Sequence, residues 1–262
     1  MDLQVKDQVA LVGASSKGLG KSAAMALARE GARIAICARS ETIETTAEEI
    51  RSETGAEVVA GRADLTKRDQ VDAFVNQALD HFGQIDILIV NSGGPPPGDF
   101  MDLTIENWES GVQTTIMSTL YLCYAAIPHM LERGSGSIVA TQSYAVKQPA
   151  SRLITSNSLR MAVIGLMKSL ANELGPHGIR VNTINPTFTW TDRVEQLMND
   201  AAEANQTSLE EEIRKRTAEI PLGRMGELDE FGKTVAWLAS PAASFIHGHA
   251  LMFDGGGVSA PL

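Results

Sequence analysis

The chain has 262 residues, 44% of them hydrophobic, enough to bury one sizeable core in a single α/β domain. Its 32 acidic residues outnumber 22 basic ones, a formal charge of -10, which argues against a nucleic-acid or anionic-membrane surface as partner. Two cysteines, Cys37 and Cys123, lie far apart on apolar stretches, and the polar start from Met1 to Asp7 has no leader-like or membrane-spanning pattern, so buried thiols and a cytoplasmic setting are expected.

Short β-rich apolar runs follow one another at Val9–Val12, Arg33–Cys37, Glu57–Ala60, Ile85–Val90, Gly136–Thr141, Arg180–Ile184 and Ala250–Phe253. Helical patterns separate most of them. This alternation implies right-handed βαβ crossovers and a doubly wound parallel sheet of Rossmann type, with ligands beyond the carboxyl ends of the strands. One domain is expected over residues 1–262. Two long helices are predicted, Trp108–Glu132 with Pro128 near its end, and Thr155–Leu174 closed by Gly175-Pro176. Both are apolar on more than one side, which suits packing between subunits as well as within one. The stretch from Thr187 to Ile220 breaks the rhythm with a polar, acidic middle and reads as a helical lid.

The first strand runs into Gly13-Ala14-Ser15-Ser16-Lys17-Gly18-Leu19-Gly20 and then a helix. A turn of small residues at a helix N-terminus presents unpaired N–H groups to a phosphate, and its position in the first βαβ unit points to a dinucleotide. An acid closing the second strand would hold a free ribose 2′-hydroxyl. That strand ends instead in Ala38-Arg39-Ser40, and with Lys17 in the first turn two cations can flank a 2′-phosphate. NADP is therefore the expected cofactor.

The ordered motifs of the whole chain resemble the short-chain dehydrogenase/reductase family, especially its 3-oxoacyl-(acyl carrier protein) reductase-like members. Asp64-Leu65 follows the third strand where the family contacts adenine, and Asn91-Ser92-Gly93 follows the fourth. Ser143 follows the fifth and takes the place of the family's catalytic serine. Ile179-Arg180-Val181-Asn182, Asn185-Pro186-Thr187 with Thr191-Asp192, and Asp254-Gly255-Gly256 complete the series. The resemblance implies an oxidoreductase acting on a small-molecule carbonyl, acyl-like substrates included, and a homo-oligomer, tetramer or dimer.

The pattern departs from the family at several points. Ala14 falls on the first glycine, Val90 on the first asparagine of the later motif, and Thr115 on the helix asparagine. Ser156 and Arg160 stand where the family carries its tyrosine and lysine, which marks an atypical subgroup without that pair. A serine hydroxyl is too weak an acid to replace a lysine-assisted phenol, and arginine stays charged, so Arg160 orients a ribose or an anion but shares no proton relay. Ser156 and Arg160 still share one helical face. Tyr144 and Lys147, just after Ser143, supply a displaced phenol and ammonium, although strand alternation turns Tyr144 away from the face of Ser143 unless the strand has ended. Two readings stay open: hydride transfer with Ser143 and Lys147 holding the oxyanion, or a dinucleotide-binding sensor or scaffold without turnover. Trp190, Phe188, Phe100 and the Pro95–Pro97 loop are candidates for an apolar substrate pocket. His247 and His249 have metal-like spacing but no third ligand nearby in sequence, so no metal is predicted.

Overall fold

A computed structural model describes residues 2–260; Met1, Pro261 and Leu262, the ends of the expected domain, lie outside the described residues. Seven parallel strands form one sheet in the order β3-β2-β1-β4-β5-β6-β7. They are β1 Val9–Val12, β2 Arg33–Ala38, β3 Val58–Arg62, β4 Ile87–Val90, β5 Gly136–Thr141, β6 Ile179–Pro186 and β7 Ala250–Phe253. All seven expected strands are present, with ends displaced by one or two residues at β2, β3, β4 and β6. The order reverses beside β1, where the chain steps from β3 at one edge to β4 on the other side, and this switch point opens a crevice above the carboxyl ends of β1 and β4.

The helices are α1 Gly18–Arg29, α2 Thr42–Thr54, α3 Arg68–Phe82, α4 Ile105–Val112, α5 Ser118–Arg133, α6 Ile154–Leu174, α7 Asp192–Asn205, α8 Leu209–Thr217 and α9 Leu228–Ala239. Side-chain alternation along the strands sorts the core into two layers. Ala10, Val12, Ile34 and Ile36 face α1, α2 and α9, together with Phe231 and Val235. Val9, Leu11, Ala35 and Cys37 face the opposite way, with Phe74 and Val75 of α3, Leu122 and Met130 of α5, and Val163 and Met167 of α6.

The helix expected over Trp108–Glu132 is divided. A π turn at Gln113–Met117 separates α4 from α5. Here Thr114, Ser118 and Thr119 each turn their hydroxyl back to the carbonyl four residues earlier, Ser110, Thr114 and Thr115 respectively. Such back-bonding competes with the backbone ladder and bends helices, and the sequence pattern of apolar residues does not register it. The segment 187–220 contains α7 and α8, started by Thr191 and Ser208, whose hydroxyls accept hydrogen bonds from Val194 and Glu211 N–H.

Two devices hold the carboxyl end of the chain to the sheet. From β6, the Asn182 side chain donates to Ile246 O and accepts from His249 N–H, while Asn185 Nδ2 donates to Leu251 O. The Arg180 guanidinium donates to the carbonyls of Leu238, Ala239, Ser240, Ala243 and Ile246, which collects the end of α9 and the following turn around one side chain. His247 spends both ring nitrogens on backbone, at Val181 N–H and Ala171 O, so the His-Gly-His segment is a structural corner. Among the described residues no three His, Cys, Asp or Glu side chains gather as a metal site.

Helices α1 and α9 approach closely because Gly232 has no side chain: a Cβ there would lie 2.5 Å from Ser22 O. Gly232→Ala is expected to lower stability by about 1–3 kcal/mol through overpacking, read by urea unfolding. An unchanged midpoint would mean that α1 and α9 can separate without cost.

Candidate functional site: the cleft at the switch point

The cleft at the switch point has a volume of about 910 Å³. Its floor is the turn between β1 and α1, with Ala14, Ser16, Lys17, Gly18, Leu19 and Gly20. Lys17 precedes α1 in an extended conformation and no side chain caps this helix, so the first N–H groups of α1 are left for a ligand. Gly20 is required by contact: a Cβ would sit 2.6 Å from Ala14 O and 2.8 Å from Asn91 Nδ2. Ala14 occupies the left-handed region at φ 47. The turn therefore keeps the glycine-type backbone although the glycine is absent.

One side chain from β4 holds this turn in place. Asn91 Nδ2 donates to Gly13 O and Ala14 O, at 3.1 Å each. Gly13 N–H reaches Ile89 O at 3.1 Å. Ser15 lies fully buried: its hydroxyl donates to Val12 O or Cys37 O and accepts from Cys37 N–H, joining the ends of β1 and β2. Gly13 and Ser15 thus lie beneath the floor of the cleft, and their contribution there is made through the backbone they fix.

The cleft brings together most of the residues expected to meet a dinucleotide. Arg39 and Ser40 line it after β2, Asp64 and Leu65 after β3, and Asn91, Ser92 and Gly93 after β4. Against the upward pull of partial burial, hydrogen bonds from Thr66 and the charges of Arg39 and Lys67 hold the Asp64 carboxyl below its ordinary range. Pro186 and Thr187 lie outside the lining: Pro186 is buried opposite Phe253, and Thr187 N–H donates to Phe253 O at 3.0 Å.

The residues expected at the reacting end, Ser143, Tyr144, Lys147, Ser156 and Arg160, come from the turn after β5 and from α6, and they lie outside the lining of the cleft. The strand has ended before Ser143, which starts a single turn over Tyr144–Val146 and accepts from Ala145 N–H at 3.2 Å. Tyr144 therefore escapes strand alternation, and it packs toward Phe188, ring centroids 6.3 Å apart. Burial raises its phenol above the ordinary value; Arg216 opposes that rise and Glu219 adds to it. Arg216 in turn covers Phe188, its guanidinium 4.5 Å from the ring centre. Lys147 closes the turn, partly exposed. Ser156 is buried in the first turns of α6, and no hydrogen bond joins it to Ser143 among the described residues. Arg160, one turn on, reaches Gln142 Oε1 at 3.4 Å. Of the residues expected to form an apolar pocket, Phe188 packs toward Tyr144, Trp190 N–H donates to Gly226 O at 2.8 Å, and Phe100 is 63% exposed. The proline loop is tied to α6 instead, through Thr155 Oγ1 donating to Pro96 O at 2.6 Å.

The cleft also contains residues that sequence reasoning passed over: Thr66, Gly94, Thr114, Ser118 and Arg193. Arg193 carried no distinct signal in the sequence, since the first turn of α7 also holds Asp192 and Glu195.

A family profile described as enoyl-(acyl carrier protein) reductase matches residues 13–257. An uncharacterized oxidoreductase of Bacillus subtilis, YvrD, is 33% identical over 98% of both chains. The chain belongs to the short-chain dehydrogenase/reductase family. Within this family the 3-oxoacyl-[acyl-carrier-protein] reductase FabG of Staphylococcus aureus is 32% identical, over 94% of this chain and 96% of that protein. Among solved structures, L-sorbose reductase from Gluconobacter frateurii complexed with NADPH and L-sorbose superposes with a TM-score of 0.96 at 27% identity, covering 99% of this chain and all of that one. An actinorhodin polyketide ketoreductase with NADPH gives 0.92 at 30% identity, covering 97% and 98% of the two chains. The short-chain dehydrogenase/reductase turn here bears one residue under strain. A left-handed L-residue costs about 1–2 kcal/mol, partly offset by the greater freedom that glycine has when unfolded. Ala14→Gly is therefore expected to raise the melting temperature by about 1–3 °C; a fall would show that the methyl group makes contacts worth more than the strain.

Proposed function

We propose that the protein is an NADP-dependent oxidoreductase that exchanges a hydride between nicotinamide and a small-molecule carbonyl or secondary alcohol, with a non-standard proton donor. The observation that carries this reading is the cleft floor: an uncapped helix N-terminus beside Lys17 and Arg39, neither of which pairs with a carboxylate among the described residues. These residues fit a dinucleotide with a 2′-phosphate. The NADPH complexes of two related reductases support the same choice. When bound, the cofactor supplies the hydride-transfer chemistry; the rest belongs to this chain.

In this reading Ser16, Lys17, Gly18, Leu19 and Gly20 hold the diphosphate, Arg39 and Ser40 the 2′-phosphate, and Asp64 and Leu65 the adenine side. Ser143 donates a hydrogen bond to the substrate carbonyl, and Lys147 adds positive potential where negative charge develops. Tyr144 is assigned to packing against Phe188 rather than to proton transfer. The proton then arrives from water through the Ser143 hydroxyl. Residues 187–220 act as the lid: Arg216 covers Phe188 within it, and Phe188 packs toward Tyr144 of the body. Exposed Ile105, Tyr124 and Met161 on α4, α5 and α6 support a homo-oligomer. Free, buried Cys37 and Cys123, whose thiols burial pushes up to about 12, support a reducing, cytoplasmic setting. Among the described residues no helix is long and apolar enough to cross a membrane.

One observation favours a second reading, a cofactor-binding sensor or scaffold. Ser156 and Arg160 hold the positions of the family's tyrosine and lysine, and burial raises rather than lowers the Tyr144 phenol. Fluorescence titration with NADPH, followed by its oxidation with ketones and 3-oxoacyl thioesters, separates the two. Turnover is expected, reduced about 10²–10³-fold in Ser143→Ala and far less in Ser156→Ala; tight binding without turnover across the panel selects the sensor. In the same titration Arg39→Ala should weaken NADPH about tenfold more than NADH, since a charged hydrogen-bond pair is lost only with the phosphorylated cofactor. Equal losses would remove the argument for the 2′-phosphate.

A further inference from the structure

The loop between β5 and α6 carries Ser143 and Lys147, and a side chain of the helix grips its far end. Asn157, in the first turn of α6, donates from Nδ2 to Ala150 O and accepts at Oδ1 from Ala150 N–H, both at 3.0 Å. One amide thereby satisfies both polar backbone groups of a residue in an irregular segment, as an adjacent strand would. Asn157 is half-buried, directly follows Ser156, and takes no part in lining the cofactor cleft.

The near end of the loop is fixed as well. Gln142 N–H donates to Ile184 O at 2.8 Å, Val146 N–H to Ser143 O at 3.1 Å, and the N–H groups of Lys147 and Gln148 both to Tyr144 O. Gln148 Oε1 also accepts from Ser259 N–H at 3.0 Å. Between these bonds and the grip of Asn157 lies Pro149 alone, whose ring holds φ at about −65°. Residues 142–150 therefore form a stiff strap, tied to β6 at one end and to α6 at the other, and the backbone of Lys147 has little freedom while both ties hold. A displacement of about 1 Å at a reacting group can cost on the order of 10²-fold in rate.

We propose that Asn157 is a positioning residue for the reaction: it acts through Ala150 to fix Lys147 against α6, and itself touches neither substrate nor cofactor. The inference rests on the role given to Lys147 above. An amide is suited to this task where a carboxylate is not, since holding an N–H and a C=O together takes an acceptor and a donor on one planar group.

Steady-state kinetics are measured with the panel member that the wild-type protein reduces fastest. Asn157→Ala is expected to lower kcat about tenfold while changing the NADPH dissociation constant by less than about threefold. In a Lys147→Ala background the same substitution should cost less than about threefold, because the group it positions is gone. A merely structural role predicts equal fold losses in both backgrounds, and that result overturns the proposal, as does an unchanged kcat in a folded Asn157→Ala protein. Asn157→Asp keeps the acceptor but sets a carboxylate oxygen against Ala150 O, and it donates there only when protonated. That hydrogen bond favours the neutral form, so the ratio of its kcat to that of the wild type should rise as pH falls from about 8 to about 5. A flat ratio overturns the proposal even where Asn157→Ala folds poorly. A wild-type protein that binds NADPH yet reduces nothing in the panel defeats the oxidoreductase reading, and this inference with it.

Discussion

The amide of Asn91 is the joint on which the cleft depends. It stands at the end of β4, across the switch point, and its two N–H groups hold the carbonyls of Gly13 and Ala14. Those carbonyls belong to the turn that aims the N-terminus of α1. Parallel strands leave the next turn to be positioned by side chains, because the ladder stops where the strand stops. One amide supplies that link here, and Ser15 supplies the corresponding link to β2. The helix N-terminus can point at a phosphate only while both bonds keep the turn folded.

The same arrangement explains how a turn without its first glycine survives. Ala14 keeps the left-handed backbone because the bonds around it over-determine the path of the chain. Strain at one residue is small beside the network of neighbouring bonds, and the cradle needs shape more than it needs a particular residue. At the other end of the cleft the balance differs. Arg160 and Arg193 make no such network with each other: both reach toward Gly94, and the charge of Arg193 adds to burial in lowering the Arg160 guanidinium.

Sequence periodicity revealed the fold well because strands buried on both sides are written as uninterrupted apolar runs, as at Ile87–Val90. Many of the residues that line the cleft were also in view, since they follow strand ends in fixed order. What it did not show depends on contacts between distant segments. The π turn at Gln113–Met117 arises from hydroxyls bonding back along the helix, while the apolar pattern of Trp108–Glu132 runs through it unchanged. The turn of Tyr144 toward Phe188 follows from β5 ending at Thr141, a boundary that alternation alone leaves undefined. The approach of Arg160 and Arg193 to Gly94 joins positions more than thirty residues apart, which no local pattern marks. Several motif residues serve the scaffold rather than the cleft, among them Asn182, which fastens the chain before β7, and Asp254, whose carboxylate accepts from Gly256 and Val258 N–H.

The position of β7 has a consequence for biogenesis. This last strand closes an edge of the sheet formed by β6, and the side chains of Asn182 and Asn185 reach out to backbone that arrives only with it. Before β7 docks, β6 presents an open row of backbone N–H and C=O groups along a strand of eight residues that is largely buried in the native protein, the kind of edge that templates strand addition from another chain. A nascent or partly unfolded molecule is thus most exposed to aggregation at the edge that the native protein hides, and the asparagines that complete the fold are also the groups left reaching for a partner when it opens.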